Sequence, residues 1–355
     1  MIAEQQTAKA KAEKQSIKCV VWDLDNTLWN GTLLEGDDIT LRAGVLETIQ
    51  ELDRRGILNS IASRNDHPAA MDKLAALGLK EYFLYPQINW NSKSASLQAI
   101  AQALNLGLDT FAFVDDQPFE REEVAFVHPE VLCIDAIDLP RLLDQPGLRP
   151  RFITAESRLR RQMYQSDAAR TQVESEFTGS NEEFLATLNL VFTIRVAEES
   201  DLKRAEELTV RTHQLNTTGY TYSYEELDAL RRSGDHLLLV ASLDDKFGTY
   251  GTIGLALVER GESIWTIKLL LMSCRVMARG VGTILMSHIL SRAKQVSARV
   301  QAYFIPNGRN RMMYVTYKFG GFKEVGRLDD LLVLENDLAH IQPFPNYVQV
   351  HILER

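Results

Sequence analysis

The chain has 355 residues, of which 45% are hydrophobic and 25% charged, and its formal net charge is -9. This length predicts two domains, and the composition is typical of a globular protein. The acidic balance argues against a nucleic-acid-binding protein, because such proteins usually carry a basic surface.

The cysteines and the N-terminus indicate the cellular compartment. Cys19, Cys133 and Cys274 show no CxxC spacing, which favours a reducing environment over a disulfide scaffold and gives no zinc site. Residues 1–16 form a polar tail without the apolar run of a signal peptide. No apolar run reaches the roughly 18 residues that a membrane-spanning helix needs. We therefore expect a soluble, cytoplasmic protein without membrane or nucleic-acid partners.

Apolar runs alternate with helical periodicity in the first half of the chain. The strand patterns cover residues 17–22, 57–62, 110–114 and 131–134, and the helical patterns cover 44–55, 68–77 and 94–104. This alternation predicts parallel βαβ units and a Rossmann-like sheet over residues 17–145. The polar residues that follow such strands line the ligand crevice.

A proline-rich stretch and two charged helical segments follow, which predict a helical linker over residues 146–189. A second α/β domain is expected over residues 190–355. Its strand patterns cover 190–196, 237–242, 252–258, 263–272 and 300–303, and its helical patterns cover 201–212, 224–232 and 281–295.

Carboxylates follow the first predicted strand at a spacing of two residues. Asp23 and Asp25 can therefore face one pocket, where one attacks phosphorus and the other handles the proton of the leaving group. Ser63 ends the next strand and can donate to a phosphate oxygen. Lys93 precedes a helix and can offset the negative charge. These residue types in this order indicate phosphoryl transfer rather than an Asp-rich loop that only caps helices.

A further pair of carboxylates, Asp115 and Asp116, ends a later strand and can hold a hard cation. Together with Asp23 and the backbone of Asp25, they predict a Mg²⁺ site. The set resembles the haloacid-dehalogenase superfamily of phosphatases over residues 17–138. The short distance from Asp23 to Ser63 leaves no room for a large cap domain. The resemblance adds candidate phosphate-binding residues beside these motifs: Asn26, Thr27 and Arg64.

A glycine-containing turn precedes a helical pattern in the second half. Arg279, Gly280 and Gly282 stand in a run that resembles the phosphopantetheine-binding turn of the GNAT acetyltransferases, where backbone amides bind a pyrophosphate. Met277 stands where that family commonly has Arg or Gln. The resemblance implies a GNAT-like fold whose turn accommodates a pantetheine arm without binding CoA tightly.

Cys274 ends a predicted strand beside Arg275 and close to Arg279. Neighbouring cations favour the nucleophilic thiolate, whereas the alternative is a small inert core residue. His213 could act as a general base, with Gln214 and Asn216 as amide donors near an acyl carbonyl. Helix capping and loop hydrogen bonding are an equally open alternative for that cluster.

Four sequence runs resemble the FkbH-like glyceryltransferase/phosphatases of polyketide biosynthesis over residues 17–340: VVWDLDNTLWNGTLLE, FVDDQPFER, RTHQLNTTGYTYS and LLMSCRVMARGVG. The resemblance implies transfer of a glyceryl unit from 1,3-bisphosphoglycerate, through Cys274, to the phosphopantetheine thiol of an acyl carrier protein, with removal of phosphate at Asp23. His213 and Gly282 depart from the residues usual in the family, so another three-carbon acyl group stays open. The alternatives are a stand-alone phosphatase and a non-catalytic docking module.

Overall fold

The computed structural model describes residues 16–212, 214–296 and 299–353. They form two compact units, which divide between Ala168 and Ala169. The first contains a five-stranded parallel sheet and the second an eight-stranded mixed sheet with helices, so the two-domain α/β fold class is confirmed. Within the described ranges, every helix is too short or too polar to cross a bilayer.

The first unit places its central strand between two strands that end in polar residues. Its strands are β1 (Cys19–Trp22), β2 (Trp29–Asn30), β3 (Thr40–Leu41), β4 (Leu58–Ser63), β5 (Gln87–Ile88), β6 (Phe111–Asp115) and β7 (Leu132–Asp135). Its helices are α1 (Val45–Arg54), α2 (His67–Ala76), α3 (Lys93–Leu104), α4 (Pro118–Val127) and α5 (Ala155–Arg158). The sheet order is β5-β4-β1-β6-β7, while β2 and β3 form a separate hairpin.

Two features of this unit were not expected from the sequence. Helix α4 follows β6 directly, but its charged run concealed the helical period. The first of the two charged helical segments in the predicted linker is divided at Leu159 into α5 and α6 (Arg160–Glu176). Helix α5 lies against Gly56, where an added Cβ would come within 2.8 Å of the Ser157 carbonyl oxygen. The close approach and the φ of +70° both require glycine there.

The second unit surrounds its sheet with helices on both faces. Its strands are β8 (Leu190–Val196), β9 (His236–Asp245), β10 (Gly248–Arg260), β11 (Ile264–Met272), β12 (Arg299–Phe304), β13 (Lys323–Leu328), β14 (Leu331–Asn336) and β15 (Val348–Leu353). Its helices are α7 (Asn181–Thr187), α8 (Leu202–Arg211), α9 (Tyr224–Arg232), α10 (Ile284–Gln295) and α11 (Arg311–Phe319). The order is β13-β14-β12-β11-β10-β9-β8-β15.

The unit boundary lies between Ala168 and Ala169, inside α6. Within the predicted linker, α7 contributes Phe184 and Leu185 to the core of the second unit. The sequence-based bounds of the linker, 146 and 189, stay predictions. Strands β13, β14 and β15 were not predicted. All residues of β13 are exposed, so that strand provides no apolar alternation.

Strands β11 and β12 are parallel and pair only over Ile264–Ile267 with Arg299–Ala302. Farther along, residues 215–217 lie between them. The Thr217 amide donates to the Leu270 carbonyl (3.1 Å), and the Thr217 carbonyl accepts from the Ile305 amide (3.0 Å). The chain itself therefore occupies the gap between the two strands.

Candidate functional site

The carboxyl edge of the parallel sheet carries a buried cluster of charge. Lys93 donates to Asp23 Oδ1 (2.5 Å), to Asp115 Oδ2 (2.9 Å) and to the carbonyl oxygen of Ala62 (2.9 Å). All three residues with charged side chains are buried, at 7% exposure or less. Two carboxylates thus share one ammonium group, and all three of its protons are engaged.

Sheet order explains why these side chains meet. Strand β1 is central and pairs in parallel with β6, with Trp22 opposite Val114. The residues that end the two strands, Asp23 and Asp115, therefore emerge side by side. Lys93 begins α3 directly after its N-cap residue Ser92, whose hydroxyl accepts from the Ala95 amide (3.2 Å). The cap fixes the start of the helix and, with it, the ammonium group.

The electrostatics of the cluster favour a bound cation. Burial and the neighbouring charge of Asp23 raise the pKa of Asp115 to about 6, although Lys93 opposes this shift. Burial lowers the pKa of Lys93, but the two carboxylates outweigh it and raise that pKa overall. Carboxylate oxygens of Asp23, Asp115 and Asp116 lie within 4.8 Å of one another. An all-oxygen donor set with excess negative charge fits Mg²⁺.

Asp25 lies outside that group of three carboxylates and is held by other donors. Its Oδ1 accepts from Trp29 Nε1 (2.8 Å) and the Leu33 amide (3.2 Å), and its Oδ2 accepts from Asn65 Nδ2 (3.0 Å). Its side chain is therefore not seen as a metal ligand, and a ligand role for its backbone stays a prediction. Sequence reasoning missed Trp29 and Asn65. The position of Asn65, two residues after Ser63, was the available signal.

The four other candidate phosphate-binding residues, Asn26, Thr27, Ser63 and Arg64, differ in their contacts. Asn26 and Thr27 stabilise the loop, because Asn26 Oδ1 accepts from the Gly31 amide (3.1 Å) and Thr27 Oγ accepts from the Asp116 amide (2.9 Å). The buried Ser63 hydroxyl has no hydrogen-bond partner in the described part of the chain and can donate to a phosphate oxygen. Arg64, which is partly exposed, pairs with Glu120.

Cys274 begins a 3-10 turn, Cys274–Arg279, just beyond β11. Its side chain is partly buried and packs against the core of the second unit. The two arginines that were predicted to lie beside the thiol form contacts with other residues of the second unit. Arg275 donates to the Tyr250 carbonyl (2.8 Å), and Arg279 pairs with Glu174 (3.2 Å).

The two glycines of the candidate pantetheine turn differ in their surroundings. Gly280 has a φ of +67°, and an added Cβ would lie 2.0 Å from the Tyr347 hydroxyl. At Gly282, no described atom outside the neighbouring residues lies within 4 Å of the position that an added Cβ would take. Helix α10 begins at Ile284, with Thr283 at its N-cap position, rather than at the predicted Val281. The left-handed Gly280 ends the preceding 3-10 turn.

The side-chain oxygen of Asn216 forms its hydrogen bonds within the candidate acyl-binding loop. Asn216 is fully buried, and its Oδ1 accepts from the amides of Thr218 (3.1 Å) and Gly219 (2.9 Å). Its Nδ2 is buried without a hydrogen-bond partner in the described residues. Gln214 is exposed, and His213 lies outside the described residues.

Comparisons with known proteins found neither a matching family model nor a matching curated protein. Solved structures of two kinds are similar. One is the N-terminal part of a Bacteroides fragilis protein containing a phosphatase domain complexed with Mg, at 26% identity, 42% coverage of this chain, 45% coverage of that chain and a TM-score of 0.34. This chain thus matches just under half of that structure.

Two further similar structures have lower sequence identities. Arabidopsis thaliana NAA60 in complex with acetyl-CoA matches at 18% identity, 41% and 97% coverage and a TM-score of 0.34. Ard1 from Thermoplasma volcanium matches at 15% identity, 41% and 96% coverage and a TM-score of 0.33. All three TM-scores are low, so the activity of this chain has to be inferred from its own residues.

Proposed function

We propose that the chain is a bifunctional enzyme: a Mg²⁺-dependent phosphatase joined to an acyltransferase that loads a glyceryl unit onto an acyl carrier protein. The observation that carries the phosphatase half is the buried cluster of Asp23, Lys93 and Asp115, with Asp25 held beside it. Two buried carboxylates that share one ammonium group leave an excess negative charge, which costs stability unless a cation binds there. The acyl half rests on the sequence resemblance of the runs around Asn216 and Cys274.

The proposed phosphatase step gives each of the two carboxylates, Asp23 and Asp25, one role. An Asp23 oxygen attacks phosphorus, the bond from phosphorus to the leaving oxygen breaks, and Asp25 gives that oxygen a proton. A water molecule then loses a proton to Asp25 and attacks the aspartyl phosphate, which releases inorganic phosphate and restores Asp23. The Ser63 hydroxyl binds a phosphate oxygen. Asp23, Asp115 and Asp116 would hold Mg²⁺, which would supply charge neutralisation at the phosphate.

The acyl step uses the mixed anhydride of 1,3-bisphosphoglycerate. The Cys274 thiolate attacks the acyl carbon, and the acyl–phosphate bond breaks with release of inorganic phosphate. The phosphopantetheine thiol of the carrier protein then loses its proton, which the released phosphate takes up, and attacks the thioester carbonyl, so the acyl group moves to the carrier and the Cys274 thiolate returns. The phosphate on carbon 3 of the acyl unit is removed separately at the Asp23 site. The activated donor removes any need for ATP or CoA.

A phosphate-release assay tests the first half. With Mg²⁺ and a phosphate monoester, the protein should release phosphate, and Asp23→Asn should lower the rate by at least about 1000-fold because the nucleophile is lost. Asp144→Asn, which changes a carboxylate that is 66% exposed, is the matched control. Equal rates for wild type and Asp23→Asn would contradict the assignment.

Intact-protein mass spectrometry tests the second half. Incubation with 1,3-bisphosphoglycerate should add an acyl mass to the enzyme, and a phosphopantetheinylated carrier protein should then acquire a glyceryl mass. Cys274→Ala should prevent both additions, whereas Cys133→Ala, a partly buried thiol of the first unit, should prevent neither. Normal loading by Cys274→Ala would remove the thiol from the mechanism.

A stand-alone phosphatase is the second candidate. It is favoured by the hydrogen bonds of Asn216, Arg275 and Arg279, which tie these predicted acyl-site residues into the second unit. It predicts phosphate release without a carrier protein and no acyl-enzyme mass. The mass-spectrometry experiment therefore separates the two functions.

A further inference from the structure

The stretch from residue 263 to residue 323 is a basic part of an acidic chain. It contains ten lysines and arginines and neither Asp nor Glu, although the whole chain has a formal net charge of -9. It comprises β11, the turn that begins at Cys274, α10, β12 and α11. The elements that carry and follow the candidate thiol therefore concentrate one sign of charge, which attracts a partner of the opposite sign.

Several of these cations already form ion pairs within the second unit. The pairs join Lys268 to Glu259, Arg279 to Glu174, Arg299 to Glu335 and Lys323 to Asp337. Arg311 and Lys318, both exposed on α11, pair with no carboxylate among the described residues. The charges of these two side chains are consequently free to attract a partner.

Helix α11 has one side in the core and one side in solvent. Tyr317 is fully buried, whereas Met312 is 50% exposed and Phe319 is 71% exposed. Met312 and Phe319 are seven residues apart, as are Arg311 and Lys318, so these four side chains form two adjacent rows on one side of the helix. Together they form the outer face of α11. Exposed apolar side chains beside cations are typical of a surface that binds another protein.

The N-terminus of α11 lies next to the candidate acyl site. Its N-cap residue, Asn310, is buried, and the Nδ2 of Asn310 donates to the carbonyl oxygen of Asn216 (3.1 Å). The carbonyl of Leu215 in turn accepts from the Met272 amide (2.9 Å), two residues before Cys274. The nine residues of α11 extend over about 14 Å. A protein bound on the outer face of α11 therefore lies within one short helix of the segment that borders the candidate thiol.

We propose that the outer face of α11 is the docking surface for the acyl carrier protein, and that it binds a helix of the carrier that presents acidic side chains beside apolar ones. Arg311 and Lys318 pair with the acidic side chains, while Met312 and Phe319 pack against the apolar ones. A second copy of this chain fits poorly, because a twofold contact between two outer faces would bring like charges together. The inference rests on the proposed acyl transfer and names the surface that recognises its acceptor.

The test measures the KM for a phosphopantetheinylated polyketide carrier protein in glyceryl transfer. The double substitution Arg311→Glu/Lys318→Glu reverses two exposed charges and should raise this KM by at least about tenfold, with little change in kcat. Phe319→Ser removes an apolar contact and should raise it by at least about fivefold. Arg232→Glu is the matched control and should leave the KM unchanged, because this side chain is 64% exposed in the last turn of α9.

Two further measurements isolate the docking step. Formation of the acyl-enzyme from 1,3-bisphosphoglycerate should be the same in all variants, because this small donor does not use the outer face of α11. A carrier protein with Asp→Asn and Glu→Gln changes in its surface helices should show a raised KM with the wild-type enzyme. Arg311→Glu/Lys318→Glu should add little to that increase, since the charge pairs are already lost.

An unchanged KM in the folded variants, an equal rise in Arg232→Glu, or an equal loss of acyl-enzyme formation would overturn the inference. Binding of phosphatidylserine vesicles that only the charge-reversed variant loses, without a change in the carrier KM, would assign the face to a lipid surface instead. Calorimetric titration of the enzyme with the carrier protein separates these results from failure of the proposed function. Weaker binding by Arg311→Glu/Lys318→Glu, when the wild type transfers no acyl group, would contradict the function alone. Acyl transfer with equal Kd values in wild type and variant would contradict the docking surface alone.

Discussion

The two units differ in how many buried carboxylates pair with one buried cation. In the second unit, Arg170 forms a bidentate pair with Asp245 (2.6 and 2.8 Å) and lies over the Tyr250 ring at 4.0 Å. One cation there meets one carboxylate. In the first unit, Asp23 and Asp115 share Lys93. A matched pair is sufficient in itself and stabilises a fold, whereas an excess of carboxylates at the edge of a sheet indicates a site that binds a cation.

The largest expected effect comes from removing the shared cation. Lys93→Met should destabilise the metal-free protein by about 3–5 kcal/mol, because two buried carboxylates then face each other without compensation. Mg²⁺ should recover part of this loss, which thermal unfolding with and without Mg²⁺ can measure. Arg170→Met should cause a comparable loss without recovery by Mg²⁺. Recovery of both variants, or of neither, would remove the distinction between the units.

A smaller effect is expected at the positioning contacts of Asp25. Asn65→Ala removes the donor to Oδ2, so the carboxylate should lose its orientation for proton transfer. We expect kcat for phosphate release to fall by about 10- to 100-fold with little change in KM. Steady-state kinetics provide the measurement, with Asn105→Ala at the end of α3 as a control for loss of an amide side chain. A change confined to KM would assign Asn65 to substrate binding.

A further prediction concerns the stability contribution of Gly280 in the second unit. Gly280→Ala should cost about 1–2 kcal/mol, because alanine disfavours a positive φ and its Cβ would meet the Tyr347 hydroxyl. Adding Tyr347→Phe should restore only the part of the lost stability that is due to the clash with the hydroxyl. Denaturant unfolding of the single and double variants measures both parts. No loss in Gly280→Ala would argue for a ligand-binding rather than a conformational role of this glycine.

The smallest expected effect concerns a surface cluster of the first unit. Hydrogen bonds from Arg54 and then Arg55 lower the pKa of Glu51 to about 2, against 4.5 for an unperturbed group. A lowered folded-state pKa stabilises the protein above pH 4.5, and this contribution disappears as the pH falls towards 2. Glu51→Gln should therefore cost about 0.5 kcal/mol at pH 7, as for an exposed pair, and almost nothing near pH 2. A cost independent of pH would contradict the ion-pair explanation.

Sequence periodicity was sufficient for the fold class and for expecting Asp23 and Asp115 at one edge of the sheet, whereas Lys93 begins a helix and was assigned from the order of the motifs. Parallel strands end at one edge, so residues that follow them have to be neighbours. The contacts of Asp25 with Trp29 and Asn65 were not predictable in the same way. They depend on the path of one loop, in which Asn26 has a φ of +54°. The turn in which Asn216 accepts from the amides of Thr218 and Gly219 likewise depends on local geometry rather than on periodicity.

The segment 215–217 has a consequence for the order in which the second unit opens. Thr217 contacts Leu270, 53 positions away, and also Ile305. Because Leu270 lies on β11 and Ile305 directly follows β12, the segment can be fixed only after both strands are in place. We expect it to detach before the sheet itself unfolds, with an opening free energy below that of the core strands. The amide proton of Thr217 should accordingly exchange with solvent faster than that of Leu257 inside β10.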